Sequence, residues 1–570
     1  MARKKWRLEN GYSDELAPGL ADFDRLTRKL LFNRSILKKE DADKFFSPDY
    51  ERDLGDPLAI KGMDRACERV LEAIEKKEKI IIHGDYDADG VSSSAIFADF
   101  LRKINFENFE VYIPDRFKEG YGLTAKSIDY IFERGAALVI TIDNGITNYE
   151  EIGRAEKNGV NVIVVDHHVV PDKFPPAYAV VDLWQDGETY PFKDFCGSGI
   201  AFKFISAILA KNSFGLARGW EKWLLDLVAI GTVADMVPLV GENRTLVYWG
   251  LEVFKKERRA GLRAIAKKSG IDLSKATSED ISFYFAPRIN VAGRLDHATL
   301  AGELLSTGSE EEAEWLSSRL ETLNTERKKM ADEILNEIKT MVAGKEDSGI
   351  IACGKKEWPV GVLAAVSSRV AEVFSKTAIL WGSGDSEKIK GSARSSGDVN
   401  VRDLLLKAGE ELYQDVGGHP MASGFTLKEE FFNDFEKRLV EAYKSMPKYE
   451  NGLDEITLEG ELGIDEVTPE NLKLISRFEP FGQKNQKPVF LFKNLAVGEL
   501  RAFGNGGIHL EMKFRNSNNT AVPAIGFWMA KNIESVKAGD TIDLAASMEN
   551  STYRGYDELR LKIVDFKKIN

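Results

Sequence analysis

Cysteine is scarce in this chain. Three in 570 residues (Cys67, Cys196 and Cys353) are odd in number and far apart. That excludes a disulfide framework and a zinc knuckle, and makes a reducing cytoplasm the expected compartment. Long apolar runs are missing too. Nothing approaches the roughly 18–20 residues needed to cross a membrane, and the opening MARKKWRLEN has basic residues with no apolar stretch behind them, unlike a secretory signal. Positive charge is in deficit: 78 Lys and Arg against 91 Asp and Glu leave a net charge of −13. A generally basic nucleic-acid coat is excluded. An enzyme that confines its positive charge to one groove is not. Internal repeats and low-complexity tracts are also lacking.

What is present is ample core, with 43% hydrophobic residues, in a chain long enough for roughly three to four domains. Residues 1–73 read as a helical arm of short amphipathic pieces. Over 74–309, strands of continuous Val and Ile (KIIIHGDYDADG, ALVITIDNG, NVIVVDHH) alternate with helices such as VSSSAIFADFLRKI, which predicts a parallel sheet buried on both faces. From Glu310 to Ala343 the chain lacks Gly and Pro and carries apolar positions at helical spacing, predicting a long connecting helix over 310–345. A second α/β domain is expected over 346–446. Short alternating strands such as GIHLEMKF and ELRLKIVDF predict a small β-barrel over 455–570.

The chemistry-bearing residues fall where a parallel sheet puts its active site, past the carboxyl ends of the strands. The chain has six histidines, and His83, His167 and His168 all stand at such ends. Asp85, Asp87, Asp89, Asp143, Asp166 and Asp235 lie at the ends of neighbouring segments. Carboxylates packed together repel and raise one another's pKa. Two divalent cations would cancel that charge, and mixed carboxylate and imidazole ligands suit Mn²⁺, with Mg²⁺ as a weaker substitute. A pair of such ions is a standard means of activating water against a phosphoester. Acids at a single strand end are more often caps and solvated turns, but a doubled histidine at a buried strand end is not explained that way.

In order, DYDADG, IDNG, the triplet Asp166-His167-His168 and GTVADMVPL resemble the four motifs of the DHH phosphoesterase superfamily. PDRFKEGYGL, FAPRINVAGRL, WPVGVLAAVSSRV, GSARSS, GGHPMASGF and RFEPFGQKNQKPVF extend the resemblance over nearly the whole chain, to the single-strand-specific exonucleases of that superfamily. The resemblance implies a parallel-sheet domain joined by a long helix to a second, associated α/β domain and then an OB-fold. It implies that His83, Asp87 and Asp143 hold one metal. Asp89, Asp143, His167 and Asp235 would hold the other, with Asp143 shared. His168 would face the scissile phosphate, while Asp85 and Asp166 would orient ligands or ligate directly. Arg116, Ser392 and Arg394 are implied as a pocket for a 5′-terminal phosphate, with Arg288 and Arg294 nearer the scissile phosphate. The implied activity is 5′-to-3′ hydrolysis of single-stranded DNA to mononucleotides in repair and recombination. A helicase and a single-strand-binding protein are the implied partners of a monomeric enzyme.

Several readings remain open on the residues alone. Two glycines before His419 allow close backbone approach to an anion, or simply a tight turn with the histidine in the core. Tyr121 and Phe117 are candidates for stacking on bases, a contact worth about 1–3 kcal/mol per base, or for core packing. His297 and His509 are expected to be structural and superficial respectively. The barrel aromatics Phe514, Phe527, Trp528, Tyr553 and Tyr556 divide between core and surface in a way the sequence does not settle. Two rivals stand beside the exonuclease: a small-substrate phosphoesterase with the same metal motifs, which chain length opposes, and a non-catalytic strand-binding scaffold, which the full set of ligands opposes.

Overall fold

A computed structural model describes residues 5–9, 11–343, 348–384, 386–449, 455–551 and 557–569. They form two compact units. One comprises Asp49–Lys448 with Gly482–Lys484; the other combines Met1–Pro48, Tyr449–Phe481 and Asn485–Asn570. The segment read from sequence as one arm over 1–73 is therefore shared between two units, with the division at Pro48. No helix among the described residues is long and apolar enough to cross a membrane.

In the larger unit, five strands pair in the order Phe109–Tyr112, Ile80–Gly84, Leu138–Ile142, Asn161–Val165 and Ala179–Val181, every pair parallel. The β-branched runs alternate between two cores, as the two-residue repeat of a strand requires. Ile80, Ile82, Leu138, Ile140 and Ile163 face one core, which helix Ala88–Lys103 enters through Val91, Ala95 and Ile96. Ile81, Val139, Val162 and Val164 face the other, closed by Ile128 and Ile131 of one helix and Ile152 and Ala155 of the next. The register aligns Gly84 with Ile142, Ile142 with Val165, and Val165 with Val181. The residues that follow are all aspartates: Asp85, Asp143, Asp166 and Asp182 stand in one row along the carboxyl edge of the sheet. The chain leaves Ile80–Gly84 first toward Phe109 and then returns on its other side toward Leu138, so the row crosses a topological switch point, where open parallel sheets bind their ligands.

Helix Glu310–Val342 has 33 residues and spans about 50 Å at 1.5 Å per residue. Ser309 caps it by accepting from Glu312 N–H, and three glutamates in its first turn suit the positive end of the helix dipole. Its apolar stripe serves two cores in succession: Ala313, Leu316, Leu320 and Leu323 pack in that of the first domain, and Ala331, Ile334, Leu335 and Ile338 in that of the second. The second domain has a mixed five-stranded sheet. Ile351–Gly354 pairs parallel with Ala378–Gly382, then Ile389–Arg394, Ala422–Leu427 and Tyr413–His419 follow antiparallel.

The other unit is built on a seven-stranded sheet from Gly460–Glu461 at one end of the order to Glu499–Phe503 at the other. No pairing among the described residues joins those two ends, so the barrel expected from sequence is not closed by its hydrogen bonds. Phe490, Phe492, Leu510, Met512 and Phe514 form its core together with Leu20, Leu30, Leu31 and Ala42 from the first 48 residues. Strand Lys5–Leu8 pairs parallel with Glu455–Leu458. Of the aromatics left open above, Phe514 is buried and Phe527 and Trp528 are exposed; Tyr553 and Tyr556 lie outside the described residues.

Candidate active site

The acidic row gathers further groups from the helices behind it. Asp87 caps helix Ala88–Lys103, accepting from the N–H groups of Asp89 at 2.9 Å and Gly90 at 3.1 Å. Asp89 accepts from Gly197 N–H at 2.6 Å and Ser198 N–H at 2.9 Å, at the start of helix Gly197–Lys211. Two helix N-termini thus point at the carboxylates and offset part of their charge. Asp235 follows helix Leu225–Ala234. Small residues make this convergence possible. A Cβ on Gly231 would lie 2.2 Å from Asp89 Oδ1, and one on Gly197 would lie 2.8 Å from Asp143 Cβ.

Asp143 has φ +64°, a left-handed conformation that short polar residues tolerate better than most. Its carbonyl accepts a hydrogen bond from the Tyr121 hydroxyl at 3.1 Å. His167 Nε2 lies 3.0 Å from Asp143 Oδ1 and 3.8 Å from Asp235 Oδ2. Three sets of potential ligands converge with their donor atoms within 4.8 Å: Asp85, Asp87 and Asp143; Asp89, His167 and Asp235; and Asp143, His167 and His168. Burial, then the neighbouring carboxylates, push the carboxyls of Asp85, Asp87 and Asp143 up, and Asp235 up to about 7. Asp166 behaves otherwise. Burial works to raise its pKa, but the hydrogen bond from His168 and the N–H of Ile146 hold it below the usual range.

These residues fit a divalent metal. Asn144 Nδ2 donates to the carbonyls of His83 and Ile142, which fixes its Oδ1 as the acceptor for His83 Nδ1 at 3.2 Å. His83 Nε2 therefore carries the lone pair. It is sealed from solvent with no hydrogen-bond partner, as is Asp85 Oδ1. Burial lowers the His83 pKa to about 4, which keeps the ring neutral. A buried acceptor without a donor costs stability unless a cation or water meets it.

Arginines share the cavity with the acids. Arg116 and Arg294 line the same cavity of about 370 Å³ as the acidic cluster. Arg116 lies over the Tyr86 ring, 4.8 Å from its centroid. Arg294 makes no hydrogen bond or ion pair among the described residues. Burial, then Arg116, Arg327 and Arg394 nearby, push its pKa down to about 10. Arg394 donates to Ser368 Oγ at 3.0 Å and to Ser392 Oγ at 3.3 Å.

Other residues sit differently from the sequence reading. Arg288 is buried, donates to Glu321 at 2.5 Å and to the Tyr284 carbonyl at 2.9 Å, and does not line the cavity. Its fork is already used within the protein. Tyr121 is not a free stacking ring: its hydroxyl binds Asp143 and lies 3.3 Å from His168 Nδ1, although the ring is 42% exposed. Phe117 is half-buried. His419 is exposed at the turn of the Tyr413–His419 hairpin, not satisfied in a core, and Gly418 before it has φ +128°. His297 Nδ1 takes the Thr299 hydroxyl at 2.7 Å, a local structural bond.

Sequence reasoning missed Tyr86 and Asn290, which line the cavity, and Asp182. Asn290 Oδ1 accepts from Ala88 N–H at 2.8 Å and so braces the Asp87 turn. Asp182 is fully buried, and burial pushes its carboxyl up to about 7. The signal for Asp182 was available: it follows a buried AVV strand, as Asp143 and Asp166 follow theirs.

A row of aspartates and histidines on a parallel sheet, tied through a long helix to a second α/β domain, defines the DHH class of phosphoesterases. The model for the DHH family, N-terminal domain, matches residues 79–232, and that for the DHHA1 domain matches 346–445. The RecJ OB domain matches 458–565. The chain belongs to the RecJ family of single-stranded-DNA-specific exonucleases. It is 36% identical over 542 residues to the RecJ exonuclease of Bacillus subtilis, covering 95% of this chain and 67% of that one. With the enzyme of Haemophilus influenzae the identity is 32% over 529 residues, covering 90% and 91%. The crystal structure of Thermus thermophilus RecJ in complex with Mn²⁺ superposes with a TM-score of 0.82 at 27% identity, covering 99% of this chain and 80% of that one. Its complex with Mg²⁺ gives 0.75 at 26%, covering 99% and 79%.

Proposed function

We propose that this chain degrades single-stranded DNA from the 5′ end to mononucleotides by two-metal hydrolysis with Mn²⁺ or Mg²⁺, in DNA repair and recombination. The observation that carries this reading is the cavity itself, which sets a cluster of buried carboxylates against Arg116 and Arg294. An acidic cluster binds cations and repels a strand; arginines that line the same cavity and have no ion pair among the described residues are what a polyanion needs to approach it.

His83, Asp87 and Asp143 would hold one ion, and Asp89, Asp143, His167 and Asp235 the other. When bound, the ions supply charge neutralisation and activation of water. The protein's own groups do the rest. Asp166 accepts from His168 Nδ1 at 2.7 Å, so that the ring presents Nε2 to the phosphate with its tautomer fixed. Tyr121 pins the left-handed Asp143 peptide beside it. Arg294, in the wall of the same cavity, offsets charge that builds on the phosphoryl oxygens. Arg116, Ser392 and Arg394 hold the terminal phosphate and set the direction of digestion. In this reading the enzyme acts as a monomer beside a helicase and a single-strand-binding protein.

The test is a long single strand labelled at either end and incubated with the protein and Mn²⁺. Labelled mononucleotide should leave a 5′-labelled strand at once, while a 3′ label yields a shrinking ladder. Intact long strands with cleavage of dinucleotides or pyrophosphate would refute the reading. A second expectation concerns Arg394→Ala. Activity on 5′-phosphorylated strands should fall about tenfold further than on 5′-hydroxyl strands, in line with the loss of one charge-assisted pair. Equal losses on both, measured by kcat/KM, would remove Arg394 from the end pocket.

A further inference from the structure

Two apolar side chains stand in solvent directly beside the cavity. Met236 follows Asp235 and Val169 follows His168, and both Asp235 and His168 line the cavity. Met236 is 71% exposed and Val169 85%. His167 Nε2 lies 3.8 Å from Asp235 Oδ2, so the two segments meet at one edge of the site. Met236 also carries backbone strain. Helix Leu225–Ala234 ends at Asp235, whose N–H donates to the Gly231 carbonyl at 2.9 Å, and Met236 N–H donates to the Val233 carbonyl at 3.3 Å. Met236 is the left-handed residue just past the helix end, with φ +58°. Glycine is usual there, because a Cβ crowds the backbone in that conformation.

Nothing inside the protein offsets that strain. Met236 packs into none of the apolar cores among the described residues. A strained, exposed apolar side chain next to a metal ligand acts on something outside the fold. The cavity itself indicates what. Its lining is acids, histidines, arginines, tyrosines and an asparagine, with Ala234 the aliphatic member. Such a lining suits a phosphate and its metal ions, but offers little to the flat apolar face of the base joined to that phosphate. A thioether is flexible and polarisable and packs on any aromatic ring, which suits a site that must take every base in turn. We propose that Met236, with Val169 beside it, forms an apolar edge on which a base next to the scissile phosphate packs. The inference rests on the reading of the chain as a single-strand nuclease and deepens it: the reacting nucleotide is gripped by its base as well as by its phosphates.

The experiment is single-turnover release of the first nucleotide in Mn²⁺, with the full chain and strands that are complete or carry an abasic residue first or second from the 5′ end. Met236→Gly suits the left-handed backbone, and Met236→Asn tolerates it while putting a polar group in place of the thioether. Both should cut the complete strand about fivefold more slowly at subsaturating enzyme. An abasic residue at one of the two places should slow the unmodified protein by a similar factor. On that abasic strand the variants and the unmodified protein should agree within about twofold, because the contact is already gone. Met236→Leu should keep most of the rate, and the Tm of Met236→Gly should equal or exceed that of the unmodified protein. Unchanged rates in both variants would overturn the proposal while leaving the nuclease reading intact. So would equal losses on complete and abasic strands, which would mean that the substitutions act through Asp235, or a Tm lowered by several degrees, which would make Met236 a structural residue. If the unmodified protein cuts no strand at all, the nuclease reading fails and the proposal with it.

Discussion

Asp143→Asn is expected to reduce turnover by about 10⁴-fold or more, an added barrier of about 5.5 kcal/mol, while strand binding stays within a few-fold. Asp143, like His167, belongs to two of the three converging ligand sets, and it is the carboxylate that does so, within the acidic row. Asparagine keeps the size and tolerates φ +64°, so the loss reports the charge and not a broken turn. Single-turnover cleavage beside anisotropy on the same strand separates the two effects. Turnover within tenfold of the unmodified enzyme would remove Asp143 from the centre of the chemistry.

The same cluster predicts a large response to metal. In its absence, Asp85, Asp87, Asp89, Asp143 and Asp235 repel one another in a site walled by helix N-termini and glycines. A ligand that binds only the folded protein contributes about 2.7 kcal/mol at 100 times its Kd, so two ions contribute about 5 kcal/mol. For a unit of about 400 residues, at an unfolding entropy of about 2.1 cal/mol/K per residue, Tm moves about 1 °C per kcal/mol. Saturating Mn²⁺ should raise the Tm of the larger unit by about 5 °C, reversed by chelation, and Asp143→Asn should lose most of that rise. An unchanged Tm at saturating Mn²⁺ would mean that the row is not a metal site.

Much of this site was legible because its residues are tied to strand ends. Once LVITI and NVIVV are read as buried parallel strands, the position of the next residue follows from the sheet, and Asp143 and Asp166 are found without any three-dimensional information. The long helix was equally legible, since its apolar spacing is local. What stayed hidden was which groups already have partners. Arg288 and Arg294 look alike in APRINVAGRL, yet one is held by Glu321 from a helix 33 residues away and the other by nothing described. Tyr121 reads as a stacking aromatic until its hydroxyl is found on a carbonyl 22 residues on. The stretch over 1–73 poses the same difficulty: its short amphipathic helices show an apolar face but not which core receives it.

That last placement has a consequence for how the protein is made. Leu20, Leu30 and Leu31 leave the ribosome before Asp49–Lys448, but the sheet they pack into is encoded after Lys448. At about 5–20 residues per second, the first segment must wait on the order of tens of seconds with its apolar face uncovered while Asp49–Lys448 is synthesised and folds. The smaller unit thus closes only after the larger one has been synthesised. A truncation that removes the C-terminal sheet would strand the N-terminal helices, whereas removing both together would leave the nuclease body with its own cores intact.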